Sequence, residues 1–404
     1  MAPDRLAGLA DAGVSIWLDD LTRAHLVSGH LRRLVDDCHV VGVTTNPTIF
    51  AASLARPEPY DPQIRELAAD GVTVGDAVRR LMVGDVQQAC DLFREVWEAT
   101  GGVDGRVSLE VDPALAGNSE ATVVDAVSLV RAVGRPNLSV KIPATRAGLP
   151  AITEALALGV DVNVTLIFSV ERYRAVMAAY LAGLERALDN GTPLSGIHSV
   201  ASFFVSRVDV EVDERLDKIG SDDALALRGM AGVANSRLAY QAFRDTFTGP
   251  RWERLQAAGA RVQRPLWAST GVKNPAYPDT KYVSELALPG TVNTMPEATL
   301  KAFADHGSLR STDDAQATAG DAAQAQEVID AVAAAGVDLT EVLTALERDG
   351  VDRFARSWAE LHDTVGRGPH GRDRVAVHPA LRAARSEHRR ARRRPPLRTE
   401  IHEE

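Results

Sequence analysis

Residues 138–145 read LSVKIPAT, and they place one charged side chain inside an otherwise apolar run. In a β-strand alternate residues point to opposite faces, so the apolar residues of this run share one face and Lys141 lies on the other. An ammonium group is almost never fully buried without a partner, and apolar surroundings lower the pKa of a lysine. Such a lysine supplies a free amine near neutral pH, which can attack a ketone and form a Schiff base. The alternative is an ordinary strand-end lysine, paired with a carboxylate at the rim.

The composition limits the class of protein. A chain of 404 residues with 45% hydrophobic content can bury a large core, and α/β barrels of this length are commonly single domains. The net charge of −10 argues against general nucleic-acid binding by the main body. The two cysteines, Cys38 and Cys90, fit a reducing cytoplasm and exclude a disulfide framework. Because there is no signal-peptide pattern and no apolar run near the roughly 18 residues of a membrane span, we expect a soluble cytoplasmic protein.

Short apolar or alternating runs recur along the chain with helix-like stretches between them, a pattern typical of a parallel sheet. We predict eight strands, near residues 15–20, 40–47, 107–113, 138–145, 160–168, 199–206, 264–270 and 291–296. Eight such units suggest closure into a (β/α)₈ barrel, the TIM-barrel architecture of the α/β class. Intervals 48–106 and 208–262 carry extra helices, and 320–362 is expected to form terminal helices on the outside.

Polar residues fall on the inward face of strand after strand. Within 160–166, three valines and Leu166 share the outward face, whereas Asp161, Asn163 and Thr165 point inward. Any one of these polar groups can instead cap a strand end or pair with a neighbour. Taken together near the C-terminal strand ends, they favour a reaction site built around the lysine. The converging residues are Asp19, Asn46, Glu110, Lys141, Asn163 and Thr165.

The C-terminal segment differs from the rest of the chain. From Gly366 onward the apolar periodicity is lost and arginines accumulate. We therefore expect residues 1–365 to form the barrel domain and 366–404 to be a disordered basic tail. Residues 380–394 can form a helix on an anionic partner, and a basic arm can bind nucleic acid, an acidic protein or a membrane surface. The simpler alternative is a solvated extension with no partner.

Several strings in the chain resemble the transaldolase family, in family order, from about residue 10 to about residue 360. LSVKIPAT resembles the Schiff-base strand of the family. The forms that several of the matching strings take in this chain resemble a longer, actinobacterial-type branch of the family. The other matching strings are SIWLDDL, VGVTTNPTIF, VSLEVDP, NVTLIF, ASFFVSRVD, WASTGVKNPAYPDTKYV and TVNTMPEATL.

The resemblance implies roles for individual residues. Lys141 would form the Schiff base, and Asp19 would take and return the proton of the donor hydroxyl. Glu110 and Thr165 would hold a water molecule that relays protons. Substrate binding is assigned to Asn46, Asn163 and Ser202 at the dihydroxyacetone unit, Phe204 beside it, and Arg207 and Lys273 at the phosphate. Many relatives carry arginine where Lys273 aligns, and lysine offers phosphate a point charge without the bidentate fork.

The resemblance also implies the reaction. A dihydroxyacetone unit would pass from sedoheptulose 7-phosphate to glyceraldehyde 3-phosphate, giving erythrose 4-phosphate and fructose 6-phosphate. This transferase step of the pentose phosphate pathway needs no metal or other cofactor, and the sequence offers no convincing metal cluster. The alternative is a fructose-6-phosphate aldolase, whose shorter relatives carry glutamine and tyrosine where this chain has Glu110 and Phe204. We expect sugar phosphates as partners, no membrane, no nucleic acid on the main body, and a monomer or homodimer.

Overall fold

The computed structural model describes residues 4–54, 58–309 and 315–367, and only the backbone of residues 315–320. Eight parallel strands close into a barrel in which each strand pairs with the next along the chain and the last pairs with the first. The strands are β1 (Val14–Leu18), β2 (Val40–Val43), β3 (Arg106–Glu110), β4 (Leu138–Pro143), β5 (Val162–Ile167), β6 (Ser199–Phe204), β7 (Arg264–Ala268) and β8 (Thr291–Met295). The predicted (β/α)₈ architecture and all eight strands are confirmed. Each strand ends a little earlier than predicted, so several site residues follow a strand rather than belong to it.

Helices surround the barrel and fill the long intervals between strands. Those before β4 are α1 (Arg5–Asp11), α2 (Arg23–Val27), α3 (His30–Cys38), α4 (Pro47–Leu54), α5 (Asp61–Ala69), α6 (Val74–Leu92), α7 (Arg94–Ala99) and α8 (Ser119–Val133). Those after β4 are α9 (Gly148–Ala157), α10 (Val170–Asp189), α11 (Ser206–Ile219), α12 (Asp222–Ala226), α13 (Ala231–Thr246), α14 (Pro250–Ala257), α15 (Lys281–Glu285), α16 (Glu297–His306), α17 (Ala315–Ala334) and α18 (Leu339–Arg367). Short 3₁₀ turns at Pro113–Leu115 and Leu194–Gly196 complete the connections. The extra helices expected in 48–106 and 208–262 are α4 to α7 and α11 to α14.

The lower interior of the barrel is filled by apolar side chains. Trp17 belongs to one buried cluster with Val200, Leu266 and Val292. Its indole lies directly over Gly42 of β2, where an added Cβ would come within 2.5 Å of the ring. A residue without a side chain is therefore needed at position 42. The barrel is a packed core at this level and opens only above it.

Ion pairs close the end of the barrel at which the strands begin. Arg106 pairs with Asp161 at 2.6 Å, and Arg264 pairs with Asp104 at 2.9 Å. Trp17 also donates its indole N–H to Asp104 at 3.3 Å. Asp161 thus points inward as predicted, but it belongs to these ion pairs at the lower end of the barrel and not to the polar cavity at the opposite end.

The alternation of β5 breaks at Leu166. This residue has a left-handed backbone, with φ of 60°, and the pairing of β5 with β6 shifts at the same place. Such a bulge re-aims the side chain that follows it. Leu166 was predicted to face outward with the valines, and this was wrong: it belongs to the same cluster as Trp17 and contacts Gly350 of α18.

The terminal helices do not both pack on the outside of the barrel. Helix α17 lies against α13, but α18 lies across the mouth at the C-terminal strand ends. Thr48 and Ser357 join α4 to α18 by a 2.8 Å hydrogen bond, and Arg172 pairs with Glu347 at 3.1 Å. The expectation of purely external terminal helices was wrong, because apolar periodicity does not say against which surface a helix docks.

Helix α18 still includes Gly366 and Arg367, and the rest of the predicted basic tail, 368–404, lies outside the described residues. Among the helices that the structure describes, none combines the length and the apolarity needed to cross a bilayer.

Candidate active site

A cavity of about 540 Å³ opens at the C-terminal ends of the strands, beneath α18. Eight of the ten residues predicted for the site line it: Asp19, Asn46, Lys141, Thr165, Ser202, Phe204, Arg207 and Lys273. The other two, Glu110 and Asn163, are buried beside them and contact cavity residues directly. The sequence therefore predicted which residues converge.

Lys141 lies at the floor of this cavity. Only 5% of its surface is exposed, and its Nζ lies 2.7 Å from Glu110 Oε1. The same Nζ donates a hydrogen bond of 2.7 Å to the carbonyl oxygen of Thr45. The strand register produces the ion pair, because Glu110 of β3 and Lys141 of β4 are directly opposite each other. A rim lysine paired in solvent, the alternative considered above, is excluded.

Glu110 is the buried partner of that lysine. Burial raises the pKa of its carboxyl group, and the positive charge of Lys141 opposes the shift. The hydroxyl of Thr45 lies 3.1 Å from Glu110 Oε2 and 2.8 Å from the carbonyl oxygen of Ser108, and it can donate its one proton to either acceptor. A carboxylate with a raised pKa, 2.7 Å from an ammonium group, is well placed to accept a proton from it.

Thr165 lines both the main cavity and a small neighbouring one. The small cavity measures about 10 Å³, and Glu110 and Lys141 line it too. The hydroxyl of Thr165 is buried and has no hydrogen-bond partner among the described residues. A space of this size is at the threshold for a single water molecule, which needs polar partners of this kind.

Asp19 follows directly after β1 and faces the same cavity. Burial raises the pKa of its carboxyl group to about 6, although the charge of Lys141 and a hydrogen bond from Thr44 oppose the shift. The hydroxyl of Thr44 lies 3.1 Å from Asp19 Oδ1, and 3.1 Å from the hydroxyl of Thr294. Asp19 is therefore a second carboxyl group that can exchange protons near neutral pH.

Uncharged polar side chains form one wall. Ser202 donates to the amide oxygen of Asn163 at 2.7 Å, and the amide nitrogen of Asn163 donates to Ser108 at 2.9 Å. Because Asn163 uses both ends of its amide, it fixes Ser202 and has little freedom of its own. Asn46 caps α4, since its side-chain oxygen accepts the backbone N–H of Ile49 at 2.9 Å. That cap leaves its NH₂ group free to face the cavity.

Cations line the outer part of the cavity. The guanidinium carbon of Arg207 lies 5.2 Å from the ring centre of Phe204. Burial and the nearby charge of Arg353 lower the pKa of Arg207 to about 10. Arg353, from α18, and Lys273 line the cavity beside it. In the described parts of the chain no carboxylate forms an ion pair with any of these three cations, an arrangement that suits an anionic ligand.

Four residues of the site were not singled out from the sequence. Thr44, Thr45 and Ser108 orient the two carboxyl groups and Asn163, and the quoted TTNP and VSLEVDP strings already contained them. Arg353 had no such signal, because its place depends on how α18 docks over the barrel.

The chain is similar to known proteins over most of its length. A model of the transaldolase/fructose-6-phosphate aldolase family matches residues 16–365. A transaldolase of Mycolicibacterium paratuberculosis is 60% identical over 357 residues, covering 88% of this chain and 95% of the relative. A transaldolase of Thermobifida fusca is 59% identical over 360 residues, covering 89% and 97%. Transaldolase 1 of Streptomyces avermitilis is 56% identical over 369 residues, covering 91% and 97%.

Proposed function

The chain belongs to the transaldolase/fructose-6-phosphate aldolase family and acts as a transaldolase, a transferase, and from this premise we propose that it works through a Schiff base on Lys141. The donor would be sedoheptulose 7-phosphate and the acceptor glyceraldehyde 3-phosphate, with erythrose 4-phosphate and fructose 6-phosphate as products. One observation carries the proposal: the buried Lys141–Glu110 pair forms the floor of a cavity whose outer wall holds cations that have no ion-pair partner among the described residues.

The first step is release of the nucleophile. Glu110 takes a proton from Lys141 across their 2.7 Å contact, and the free amine attacks the C2 carbonyl of the donor. The carbinolamine then loses its hydroxyl as water once that oxygen is protonated, which leaves a protonated imine. Two features support a water-mediated proton relay in this step. The hydroxyl of Thr165 has no hydrogen-bond partner among the described residues, and a small cavity lies beside Glu110.

Carbon–carbon cleavage follows. The Asp19 carboxylate removes the proton of the C4 hydroxyl, the C3–C4 bond breaks, and its electron pair moves to the imine nitrogen, giving an enamine. Erythrose 4-phosphate leaves as the aldehyde. The enamine carbon then attacks the aldehyde of glyceraldehyde 3-phosphate, and Asp19 returns the proton to the new alkoxide. Hydrolysis of the imine frees fructose 6-phosphate.

The enamine must persist on Lys141 until the acceptor arrives. Ser202 and Asn46 present uncharged donors and acceptors to the dihydroxyacetone unit, while Asn163 holds Ser202 in place. Phe204 covers one side of the pocket. Neutral groups suit this work, because they bind hydroxyls without adding a charge that would change the protonation of the enamine.

Phosphate recognition belongs to the outer wall. Arg207 is half-buried, and its charge is opposed by that of Arg353, a second cation supplied by the helix α18 that covers the mouth. A phosphate group between them would replace their mutual repulsion by charge-assisted hydrogen bonds. Lys273, exposed at the rim, adds a third positive charge.

The acceptor requirement tests the proposed function. Fructose 6-phosphate should yield product steadily only when erythrose 4-phosphate is also present, because the three-carbon unit stays bound to the enzyme. Without acceptor, release of glyceraldehyde 3-phosphate should stop near one equivalent per site. Continued release together with free dihydroxyacetone would contradict transfer and indicate simple aldol cleavage.

We further propose a cytoplasmic location, a monomer or homodimer, and one barrel domain to about residue 365. The two free cysteines, Cys38 and Cys90, suit a reducing compartment such as the cytoplasm. Size-exclusion chromatography coupled to light scattering would test the oligomeric state.

A further inference from the structure

A group of potential metal ligands lies beside the mouth of the barrel and has no part in the reaction. His25 comes from α2, His30 begins α3, and Glu297 begins α16. Each offers one ligand atom, and the three atoms lie within 4.8 Å of one another. His30 Nε2 is already 2.9 Å from Glu297 Oε2, and the two imidazole rings are 5.0 Å apart. All three residues are half-buried.

We propose that His25, His30 and Glu297 bind a divalent transition-metal ion of the zinc type. Two imidazoles and one carboxylate, with a fourth position for water, form a frequent zinc ligand set. Metal–ligand bonds of about 2.0–2.1 Å in a tetrahedron place ligand atoms about 3.3 Å apart. The three atoms lie close enough that small rotamer changes bring them to that spacing.

An unpaired nitrogen gives independent support. The Nδ1 atom of His25 is buried and has no hydrogen-bond partner among the residues that the structure describes. A buried polar atom of this kind normally finds a protein or solvent partner. The other ring of the pair, His30, is held by Glu297 on one side. The group therefore combines a histidine that has an unpartnered ring nitrogen with a histidine–carboxylate pair.

The existing contacts of the group permit metal binding. Lys301 pairs with Glu297 through Oε1, at 2.6 Å, which leaves Oε2 for the metal, and Lys301 itself is 70% exposed. The Arg33 side chain, exposed and 3.5 Å from His30 Nδ1, has to turn away. The metal then takes the Nε2 lone pair of His30, the ring proton resides on Nδ1, and neutral imidazoles are required.

Asp20 connects this group to the substrate cavity. It lines the cavity next to Asp19, and its charge interacts with those of His25 and Glu297. A bound divalent cation would therefore tie the segment after β1 to α16, which follows β8. The metal would stabilise the wall of the active site without contacting Lys141 or taking part in its chemistry.

Metal binding by the untagged full chain is the test. After treatment with a chelator, the protein would be titrated with Zn²⁺ against a chromophoric competitor, and Co²⁺ spectra would report the ligand field. We expect one tight site per chain, a higher Tm with Zn²⁺, and visible Co²⁺ bands typical of tetrahedral N/O coordination. His30→Gln and Glu297→Gln should each weaken Zn²⁺ binding by at least about tenfold.

His39→Gln is the matched control, because His39 also pairs with a carboxylate, Asp4, at 2.9 Å but belongs to no such group of ligands among the described residues. Its Zn²⁺ affinity should equal that of the parent. If His30→Gln and Glu297→Gln also bind Zn²⁺ as tightly as the parent, the metal binds elsewhere and the proposal fails. It fails equally if the parent takes up no Zn²⁺ or if its Co²⁺ complex shows only octahedral bands. The Co²⁺ spectrum needs only the parent protein, so a variant that does not fold leaves the test intact.

Discussion

Glu110 and Lys141 are directly opposite each other on neighbouring strands, and their side chains meet at 2.7 Å inside the barrel. The pairing follows from backbone register alone, because both residues occupy inward positions of adjacent parallel strands. It brings a proton acceptor to the amine before any substrate is bound. Two buried charges this close cost desolvation energy, and a structure that needed only stability would gain little from them. The catalytic role that we propose for Glu110 and Lys141 would explain why the pair is placed there.

Replacing Glu110 by glutamine should separate catalysis from binding. The amide keeps the shape of the side chain but cannot accept a proton from Lys141. We expect kcat to fall by about 10²- to 10⁴-fold, while KM changes far less, because the lost contribution is proton transfer. Steady-state kinetics with fructose 6-phosphate and erythrose 4-phosphate would measure both. The control is Glu154→Gln, which removes a surface carboxylate paired with Arg186. A rise in KM with kcat unchanged would contradict the role assigned to Glu110.

The pH dependence of kcat/KM should reflect the protonation of Asp19. Its pKa is raised to about 6, and the group acts as a base, so it works as the carboxylate above that pH. As the pH falls through 6, the carboxylate is protonated and kcat/KM should drop about tenfold per pH unit. Asp19→Asn should lower kcat by about 10²- to 10⁴-fold and remove this acidic limb. An unchanged acidic limb in the variant would assign the titration to another group.

Helix α18 should contribute to phosphate binding through Arg353. Losing one charge-assisted hydrogen bond costs about 1.5–3 kcal/mol, so Arg353→Gln should raise KM for glyceraldehyde 3-phosphate by about 10- to 100-fold. Arg348→Gln provides the control, because Arg348 lies on the same helix and is near Asp349, at 3.9 Å. The unphosphorylated acceptor glyceraldehyde should be used equally by parent and variant. An equal loss with both acceptors would show that Arg353 serves only to hold the helix.

Gly42 should be needed for the packing of the barrel interior. A Cβ at this position would lie 2.5 Å from the Trp17 ring, and a rigid indole at the centre of a barrel cannot move far. Gly42→Ala should therefore lower the free energy of unfolding by about 1–3 kcal/mol. Gly117→Ala is the matched control, since nothing lies within 4 Å of its added Cβ. Chemical denaturation would measure both, and equal stabilities would refute the packing argument.

Much of the architecture followed from residue patterns. Strand alternation identified the inward positions of Glu110, Lys141 and Asn163, because side-chain parity is a local property of extended backbone. Those positions face one another once the sheet closes. The eight strands were recognised for the same reason, although their C-terminal ends were placed slightly too late.

The other features of the fold and the site depend on contacts between residues far apart in the sequence, which no local pattern predicts. Arg353 reaches the cavity only because α18 crosses the mouth, guided by the contact of Gly350 with Leu166. Leu166 in turn makes that contact because a bulge overrides the alternation of β5. The approach of His30 to Glu297 likewise joins helices at opposite ends of the barrel sequence, so spacing along the chain did not indicate a metal cluster.

Covalent trapping tests the central claim most directly. Borohydride added to the enzyme with fructose 6-phosphate should reduce the imine and leave a stable three-carbon adduct on one residue. Peptide mapping should locate that adduct on Lys141, and Lys141→Ala should form none. An adduct on another lysine, or full turnover by Lys141→Ala, would contradict the account.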